Sequence, residues 1–268
     1  MSLPSATVVV PTRRRPQQLA RCVAALEALD YPRDLLEILV IDDEAGAGPS
    51  TARNRGLASA QGEVVAFTDD DCEPAADWLR LLAEAWMLDP ERGYGGTVSN
   101  ALENDLAAEV AQRIILAGYR HLNRPGDARF LTSNNLLLPT AALRELGGFE
   151  PSLRTSEDRD LCDRWRLVGR RLDQVPEAVV RHRHAGGPRE FWRQHVAYAR
   201  GSRRYHVLHR ERTGSLPRFE PSFYARLLLR PGAPRLRSTA LVVLWMAATA
   251  WGYAGEVLRP QGRIGAAS

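Results

Sequence analysis

Glu63-Val-Val-Ala-Phe-Thr-Asp-Asp-Asp71 carries a short apolar run straight into three carboxylates. A buried strand that ends this way sets hard oxygen ligands at the carboxyl edge of a sheet, the edge where open α/β folds bind their ligands. Asp69, Asp70 and Asp71 would suit a divalent cation that carries a phosphorylated substrate. An acidic turn is the plain alternative, since Asp is a common turn former.

The pattern around this stretch repeats as β-α-β through the first hundred residues, which calls for a largely parallel sheet with helices on both faces. Ala6-Thr-Val-Val-Val10 reads as a fully buried first strand closed by Pro11. A helix over 16–28 places Leu19, Val23 and Leu26 on one face. Leu36-Glu-Ile-Leu-Val-Ile41 is a second strand running into Asp42 and Asp43. Ser50 or Thr51 can cap a helix that reaches about Ala60 and ends at Gly62. Beyond the triplet the periodicity predicts helices over 74–87, 103–122, 140–146 and 157–168. Strands are expected over 93–99, 135–138, 171–175 and 178–182, and one basic helix over 188–212.

A chain of 268 residues with 44% hydrophobic content can bury a substantial core, one large domain with an appendage. Cys22, Cys72 and Cys162 are odd in number and widely spaced, which points to a reducing, cytoplasmic compartment. The leader Met-Ser-Leu-Pro-Ser-Ala has neither a basic start nor an apolar core, so no signal peptide is expected. All 36 basic residues are arginine. Without lysine the chain cannot be a P-loop enzyme, a protein kinase or a pyridoxal enzyme, each of which needs that amine. Residues 181–237 hold fourteen arginines against three glutamates, a net +11, while the remainder is −7. An acidic body with a basic C-terminal third suggests a phosphate-rich partner such as an anionic membrane. Trp192, Tyr198 and Tyr205 interleave with those arginines at helical spacings that suit packing rather than base stacking, so no nucleic-acid partner is expected.

In a parallel sheet Pro11-Thr-Arg-Arg-Arg15 and Asp42-Asp43 would end side by side at one crevice. Asp43 could accept from a nucleobase N–H while Thr12 and Arg13 contact base or ribose; helix capping and a solvated arginine run explain the same residues, and spacing does not decide between them. Taken together, Val8-Val-Val-Pro-Thr-Arg13, Val40-Ile-Asp-Asp43, Ala52-Arg-Asn-Arg-Gly-Leu57 and Phe67-Thr-Asp-Asp-Asp71 resemble, in order and spacing, the nucleotide-sugar half of inverting family 2 glycosyltransferases. Ser133-Asn-Asn135, Leu146-Gly-Gly-Phe149, Glu157-Asp158 and the pair His182, His184 continue that resemblance over roughly 6–205.

The resemblance implies a GT-A fold and a single displacement at the anomeric carbon of a nucleotide-diphospho-sugar of UDP, GDP or dTDP type. It places Pro11, Thr12, Arg13, Arg15, Asp43, Arg53, Asn54, Asp69 and Asp70 at the donor, and Asn134 and Asn135 at the acceptor loop, where they could bond sugar or acceptor hydroxyls; amide capping of that loop explains them equally well. Chemistry points the same way. A diphosphate leaving group needs its charge neutralised, which a Mg²⁺ or Mn²⁺ on the Asp69/Asp71 pair supplies, with Asp71 the direct ligand. His182 and His184 lie two apart, on one side of a strand; one of them, His182 by the match, could complete the metal shell. An acceptor hydroxyl must lose its proton as it attacks. Asp158 is the expected base, kept ionised by a helix N-terminus, with Glu157 orienting the acceptor. Two departures stand out: Ser133-Asn134 is more polar than the family's usual small residue and glycine. The processive Gln-x-x-Arg-Trp signature is also missing, with only Phe191-Trp-Arg-Gln194 nearby, which favours single-sugar transfer.

Residues 238–255 are uncharged. As a helix of about 27 Å at 1.5 Å per residue they fall just short of a bilayer core of about 30 Å. Leu241, Val242, Val243 and Leu244 contribute only about −2 kcal/mol to insertion. A span, an interfacial anchor and a helix docked on protein all compete. Trp245, Trp251 and Tyr253 with the preceding arginines favour peripheral attachment to the inner face of a membrane, where a lipid-linked hydroxyl acceptor of a cell-envelope glycan would be within reach. The expected organisation is a GT-A domain over 1–212, with a nucleotide-sugar half to about 100 and an acceptor half after it. An extension over 213–268 follows, with a hydrophobic helix near 238–258. A non-catalytic membrane-recruited binding protein is the alternative. A sugar nucleotidyltransferase ranks lower because Pro11–Arg15 lacks the glycine-rich loop that a triphosphate requires.

Overall fold

The computed structural model describes residues 2–102, 104–184, 186–216, 221–229 and 235–258. Glu103 of the expected 103–122 helix, Arg218, Glu220 and Arg230 of the basic segment, and the end of the extension from Arg259 lie outside the described residues.

The strands are β1 (Ala6–Thr12), β2 (Leu36–Asp42), β3 (Val64–Phe67), β4 (Cys72–Pro74), β5 (Gly93–Asn100), β6 (Leu136–Pro139) and β7 (Leu172–His182). They form one sheet in the order β2-β1-β3-β6-β5-β7-β4. β1 pairs parallel with both β2 and β3, so Thr12, Asp42 and the aspartates after Phe67 emerge at one edge. β6 runs antiparallel between β3 and β5. β7 is parallel to β5 and antiparallel to β4, with Cys72 opposite His182.

Alternation along the strands divides the core in two, as a period of two requires. Val8, Val10, Val64, Ala66 and Leu137 face α1 (Pro16–Glu27) and α3 (Trp78–Leu88). Val9, Val65, Phe67, Leu136 and Leu138 face α2 (Pro49–Ser59), α5 (Thr140–Glu145) and α6 (Glu157–Leu167). A third cluster joins α4 (Leu106–Leu122), α7 (Gly187–Thr213), α8 (Pro221–Leu229) and α9 (Arg235–Val257) through Val110, Phe191, Leu227, Val242 and Trp245.

Several local expectations are corrected. The cap of α2 is Gly48, followed by Pro49 at the first helical position, and Ser50 instead donates to Leu153 O at 2.5 Å. The helix closes at Ala60, and Gly62 lies beyond it, where a Cβ would collide with the Ala6 and Thr7 backbone. The predicted strands 171–175 and 178–182 are one strand, β7, whose register against β5 shifts between Gly95 and Thr97. β4 is too short to leave a periodic signal.

Asn135 corrects a larger expectation. It is fully buried; its Oδ1 accepts from Trp78 Nε1 at 2.8 Å and Gly96 N at 3.0 Å, and its Nδ2 donates to Thr97 O at 3.1 Å and Ala178 O at 3.0 Å. With four hydrogen bonds made, its amide is saturated and has nothing left for an acceptor. It ties α3, β5, β6 and β7 together. Asn135→Ala should therefore leave four buried groups unpaired and cost about 3 kcal/mol or more. That corresponds to a thermal midpoint lower by roughly 6–12 °C; a calorimetric scan with an unchanged midpoint would refute the role.

Candidate active site

The carboxyl edge gathers its charged residues around one buried cation. Arg53, on α2 and 2% exposed, donates from Nη2 to Asp69 Oδ1 at 2.6 Å and from Nη1 to Glu157 Oε1 at 2.8 Å, with its guanidinium 5.4 Å from the Phe149 ring. Burial works against its charge, but Asp69 and Glu157 more than compensate and hold its pKa above the usual arginine value. Asp69 thus faces Arg53, and the aspartate triplet is joined to the Glu157-Asp158 pair through one side chain.

The other two aspartates separate in role. Asp70 is buried and accepts from Thr12 Oγ1 at 2.8 Å, which anchors the loop to β1. Burial raises its pKa against the Thr12 bond, with the Asp71 charge adding to the rise. Asp71 meets His182 Nε2 at 3.3 Å and Arg15 Nη1 at 3.1 Å. Burial would push Asp71 up, but the hydrogen bond and charge of His182, with Arg15, bring it below the ordinary carboxylate value. Arg15 is half exposed and also touches Asp70 at 3.3 Å, so it is a cation at the mouth of the site. Arg14, between Arg13 and Arg15, adopts a left-handed φ of 53°.

Asp71 and His182 suit a divalent metal. A carboxylate oxygen, an imidazole nitrogen and Cys72 Sγ lie within 4.8 Å of one another, and His182 Nδ1 is buried without a partner among the described residues. Burial pushes the Cys72 thiol well above its ordinary value, so it stays protonated beside a hard oxygen site. His184 is placed differently. It sits edge-on to His182 with centroids 4.2 Å apart, but its Nε2 lies 2.8 Å from Gln112 Oε1. Gln112 donates its amide to Val98 O, so its oxygen is the acceptor and His184 the donor. Burial and the neighbouring His182 lower the His184 pKa to about 3. It is a neutral strut behind His182.

Asp43 and Asn54 organise backbone. Asp43 accepts from Ala47 N at 2.8 Å and Gly48 N at 2.9 Å and shapes the loop into α2. Asn54 exchanges a reciprocal pair with Phe149, at 2.7 and 2.8 Å, and pins α2 to the turn before the acid pair. Pro11 is buried in β1, and the Arg13 guanidinium lies over Gly46, where a Cβ would come within 2.6 Å of it. Asn134 is buried and accepts from Thr132 Oγ1 at 2.7 Å.

Asp158 is the second residue of α6, after Glu157 and the cap Ser156, whose φ of 65° is costly for a residue with a Cβ and is the kind of strain that accumulates at working sites. Its Oδ1 accepts from Arg159 N at 2.8 Å. The expectation that a helix N-terminus keeps it readily ionised is corrected: burial, then the Glu157 charge, raise its pKa to about 7.

Sequence reasoning missed what α7 contributes. Thr155 Oγ1 donates to Ala197 O at 3.0 Å, and Gly201 crosses Thr155 so closely that a Cβ would fall 2.0 Å from its Oγ1. Next to this crossing, Tyr198 is 41% exposed and bonded to Gln194 at 2.7 Å. The negative charges of Asp71, Asp158 and Asp69 reach its phenol. Its helical spacing had suggested packing alone.

Residues 44–147 match the family described as Glycosyl transferase family 2. A pre-mycofactocin glycosyltransferase of Mycobacterium tuberculosis is 28% identical over 261 residues, covering 88% of this chain and 55% of that protein, so the chain spans about half the length of this relative. The mannosyltransferase PcManGT from Pyrobaculum calidifontis, in complex with GDP-Man and Mn²⁺, has a TM-score of 0.61 at 22% identity, covering 93% of this chain and 76% of that one. GalNAc-T7 with UDP, GalNAc and Mn²⁺ has a TM-score of 0.53 at 16% identity, covering 74% and 47%. These likenesses show that the chain has the GT-A fold.

Arg53→Met should leave Asp69 and Glu157 as buried carboxylates without their cation, at a cost of about 3–5 kcal/mol. Arg53→Lys should recover only part of this, because one ammonium lacks the planar fork that reaches both acids. Denaturant titration of the two variants checks the order; equal stability would refute the bridge.

Proposed function

We propose that the chain is a metal-dependent, inverting family 2 glycosyltransferase that moves one sugar from a nucleotide-diphospho-sugar to an acceptor hydroxyl. The observation that carries this reading is geometric: one sheet edge brings Asp71, 3.3 Å from His182, together with the Glu157-Asp158 pair, joined to the aspartate triplet through Arg53. The two carboxylates shift in opposite directions, Asp71 below the ordinary value and Asp158 above it. Pairs of acids driven apart by their surroundings mark separate chemical roles.

In this reading Asp71 and His182 hold Mg²⁺ or Mn²⁺, which when bound neutralises the diphosphate leaving group. Asp69 keeps Arg53 in place behind them. Arg15, exposed at the mouth, pairs with a phosphate oxygen of the donor. Asp158 takes the proton of the attacking hydroxyl. Its raised pKa makes it a stronger base than an ordinary carboxylate while leaving it mostly ionised somewhat above neutrality. Glu157, fixed by Arg53, sets where Asp158 points and adds the negative charge that raises it. Tyr198 and Gln194 line the acceptor side. The nucleotide-sugar half is about 1–100 and the acceptor half about 101–212, followed by the extension over 213–268.

The GDP-Man and UDP of the two structural neighbours make GDP- and UDP-sugars the first donors to test, with dTDP as the third. The acceptor is a hydroxyl of a membrane-proximal or lipid-linked molecule in cell-envelope glycan assembly, met by an enzyme attached at the inner face of the membrane. Pre-mycofactocin, named for the sequence relative, belongs in the acceptor panel.

Calorimetric titration of UDP, GDP and dTDP with and without Mn²⁺ tests the donor site. Binding should require the metal and be lost in Asp71→Ala; a folded protein that binds none of them defeats the proposal. Asp158→Asn should keep nucleotide binding and lower turnover by roughly 10²–10⁴-fold. Because a general base must be deprotonated to act, turnover should fall about tenfold per pH unit below a midpoint near 7 and level off above it. A profile flat down to pH 5 would remove Asp158 from the role.

A further inference from the structure

The basic third of the chain is only partly used by the site. Along α7, Arg204 pairs with Glu256 at 2.7 Å, His209 with Asp163 at 2.5 Å and Arg212 with Asp160 at 2.5 Å. Arg203 and Arg210 differ from these. They lie seven residues apart, hence on one face of the helix, and neither makes an ion pair among the described residues. Arg203 rests 5.9 Å from the Tyr253 ring on α9. Both line a cavity of about 610 Å³ between α7 and α9, with Glu211 adding one opposing charge. His206, also in its wall, is pushed down to about 4 by burial and then by Arg159, His209 and Arg203, so the imidazole is neutral and the surrounding field positive.

Apolar residues mark the same end of the helix pair. Leu216, just past the α7 cap, is 57% exposed, Val257 52% and Leu258 82%; the first two also line the cavity. Farther along α9 the exposed positions Leu236, Val243, Trp251 and Leu258 recur every two turns and continue the apolar face. The opposite face is docked. Ala248 and Gly252 are buried against α7, and a Cβ on Gly252 would meet Val196 O at 2.4 Å.

We propose that the groove between α7 and α9 seats the phosphate headgroup of an anionic membrane phospholipid. Arg203 and Arg210 hold the phosphate, while Leu216, Trp251, Val257 and Leu258 enter the acyl layer. Guanidinium forks match phosphate oxygens in pairs, and a helix with apolar residues on one side and arginines above them lies at the boundary between headgroups and chains. A symmetric contact with a second copy is disfavoured, since residues 181–237 carry +11 and would there face their own charge. The inference rests on the membrane attachment proposed above and is independent of the transfer chemistry.

Sedimentation of the full chain with vesicles tests it. Wild type should bind phosphatidylcholine vesicles that contain phosphatidylglycerol and leave pure phosphatidylcholine vesicles unbound. Arg203→Glu with Arg210→Glu should lower binding by roughly tenfold or more, and Arg203→Gln with Arg210→Gln should lower it less. Arg189→Glu with Arg193→Glu makes the same charge change elsewhere on α7 and should have little effect, with all variants keeping the wild-type thermal midpoint. Wild type that binds neither vesicle overturns both the groove and the membrane attachment. Binding that survives Arg203→Glu with Arg210→Glu, or falls equally in the Arg189/Arg193 variant, overturns the groove alone.

Discussion

A single buried guanidinium holds the working edge of this molecule together. Arg53 leaves α2 with no route to water and donates to an aspartate that follows β3 and a glutamate that opens α6. Those acids are 88 residues apart in sequence. A buried cation with two carboxylates is tolerable only when its geometry is good, so the pairing restricts where the aspartate triplet and the acid pair can sit relative to one another. Neighbouring contacts support the same restriction: Asn54 pins the Gly148-Phe149 turn to α2, and Asp43 shapes the loop that begins α2. Asp43, Arg53 and Asn54, all expected at the donor, thus each bond protein groups of this edge.

Much of the architecture was legible because it rests on periodicity. Val8 and Val10 against Val9, and Val64 and Ala66 against Val65 and Phe67, alternate between two helix layers, and such alternation is visible in any linear reading. The ordered motifs also located the edge where the carboxylates gather. What was not legible is the direction each polar side chain takes. Asn135 reads in sequence as an amide at the start of a strand, yet β5 and β7 bring two carbonyls and an N–H to it from 38 to 43 residues away. His184 has the spacing of a ligand, but Gln112, on a helix placed by other forces, turns it aside. Long-range partners of this kind leave no local trace in sequence.

The C-terminal helix shows why composition alone left three readings open. Its residues serve two surfaces at once. Leu241, Val242, Trp245, Ala248 and Gly252 are buried among α4, α7 and α8, whereas Leu236, Val243, Trp251 and Leu258 face outward. A hydropathy sum merges the two faces into one marginal value. Resolved by face, the helix is a docked element that carries an apolar outer stripe, and the close approach at Gly252 explains how it can lie along α7 without a thick side-chain layer between them.

The two ends of the proposed reaction draw on one physical contrast. Asp71 and Asp158 are the same side chain in one site, and their neighbours separate them. A histidine and an arginine reach Asp71 and, against its burial, hold its pKa below the ordinary carboxylate value. Burial and then the charge of Glu157 raise Asp158; Arg159 beside it offsets only part of this, and Arg53 bonds Glu157 and Asp69 directly and acts on Asp158 only through space. In the proposed reaction this puts the more readily ionised acid where a cation would be held and the more reluctant one where a proton would be taken. Had Arg53 turned to Asp158 instead, the base would be a weak, fully paired carboxylate. The placement of one buried arginine thus bears on basicity as well as on structure.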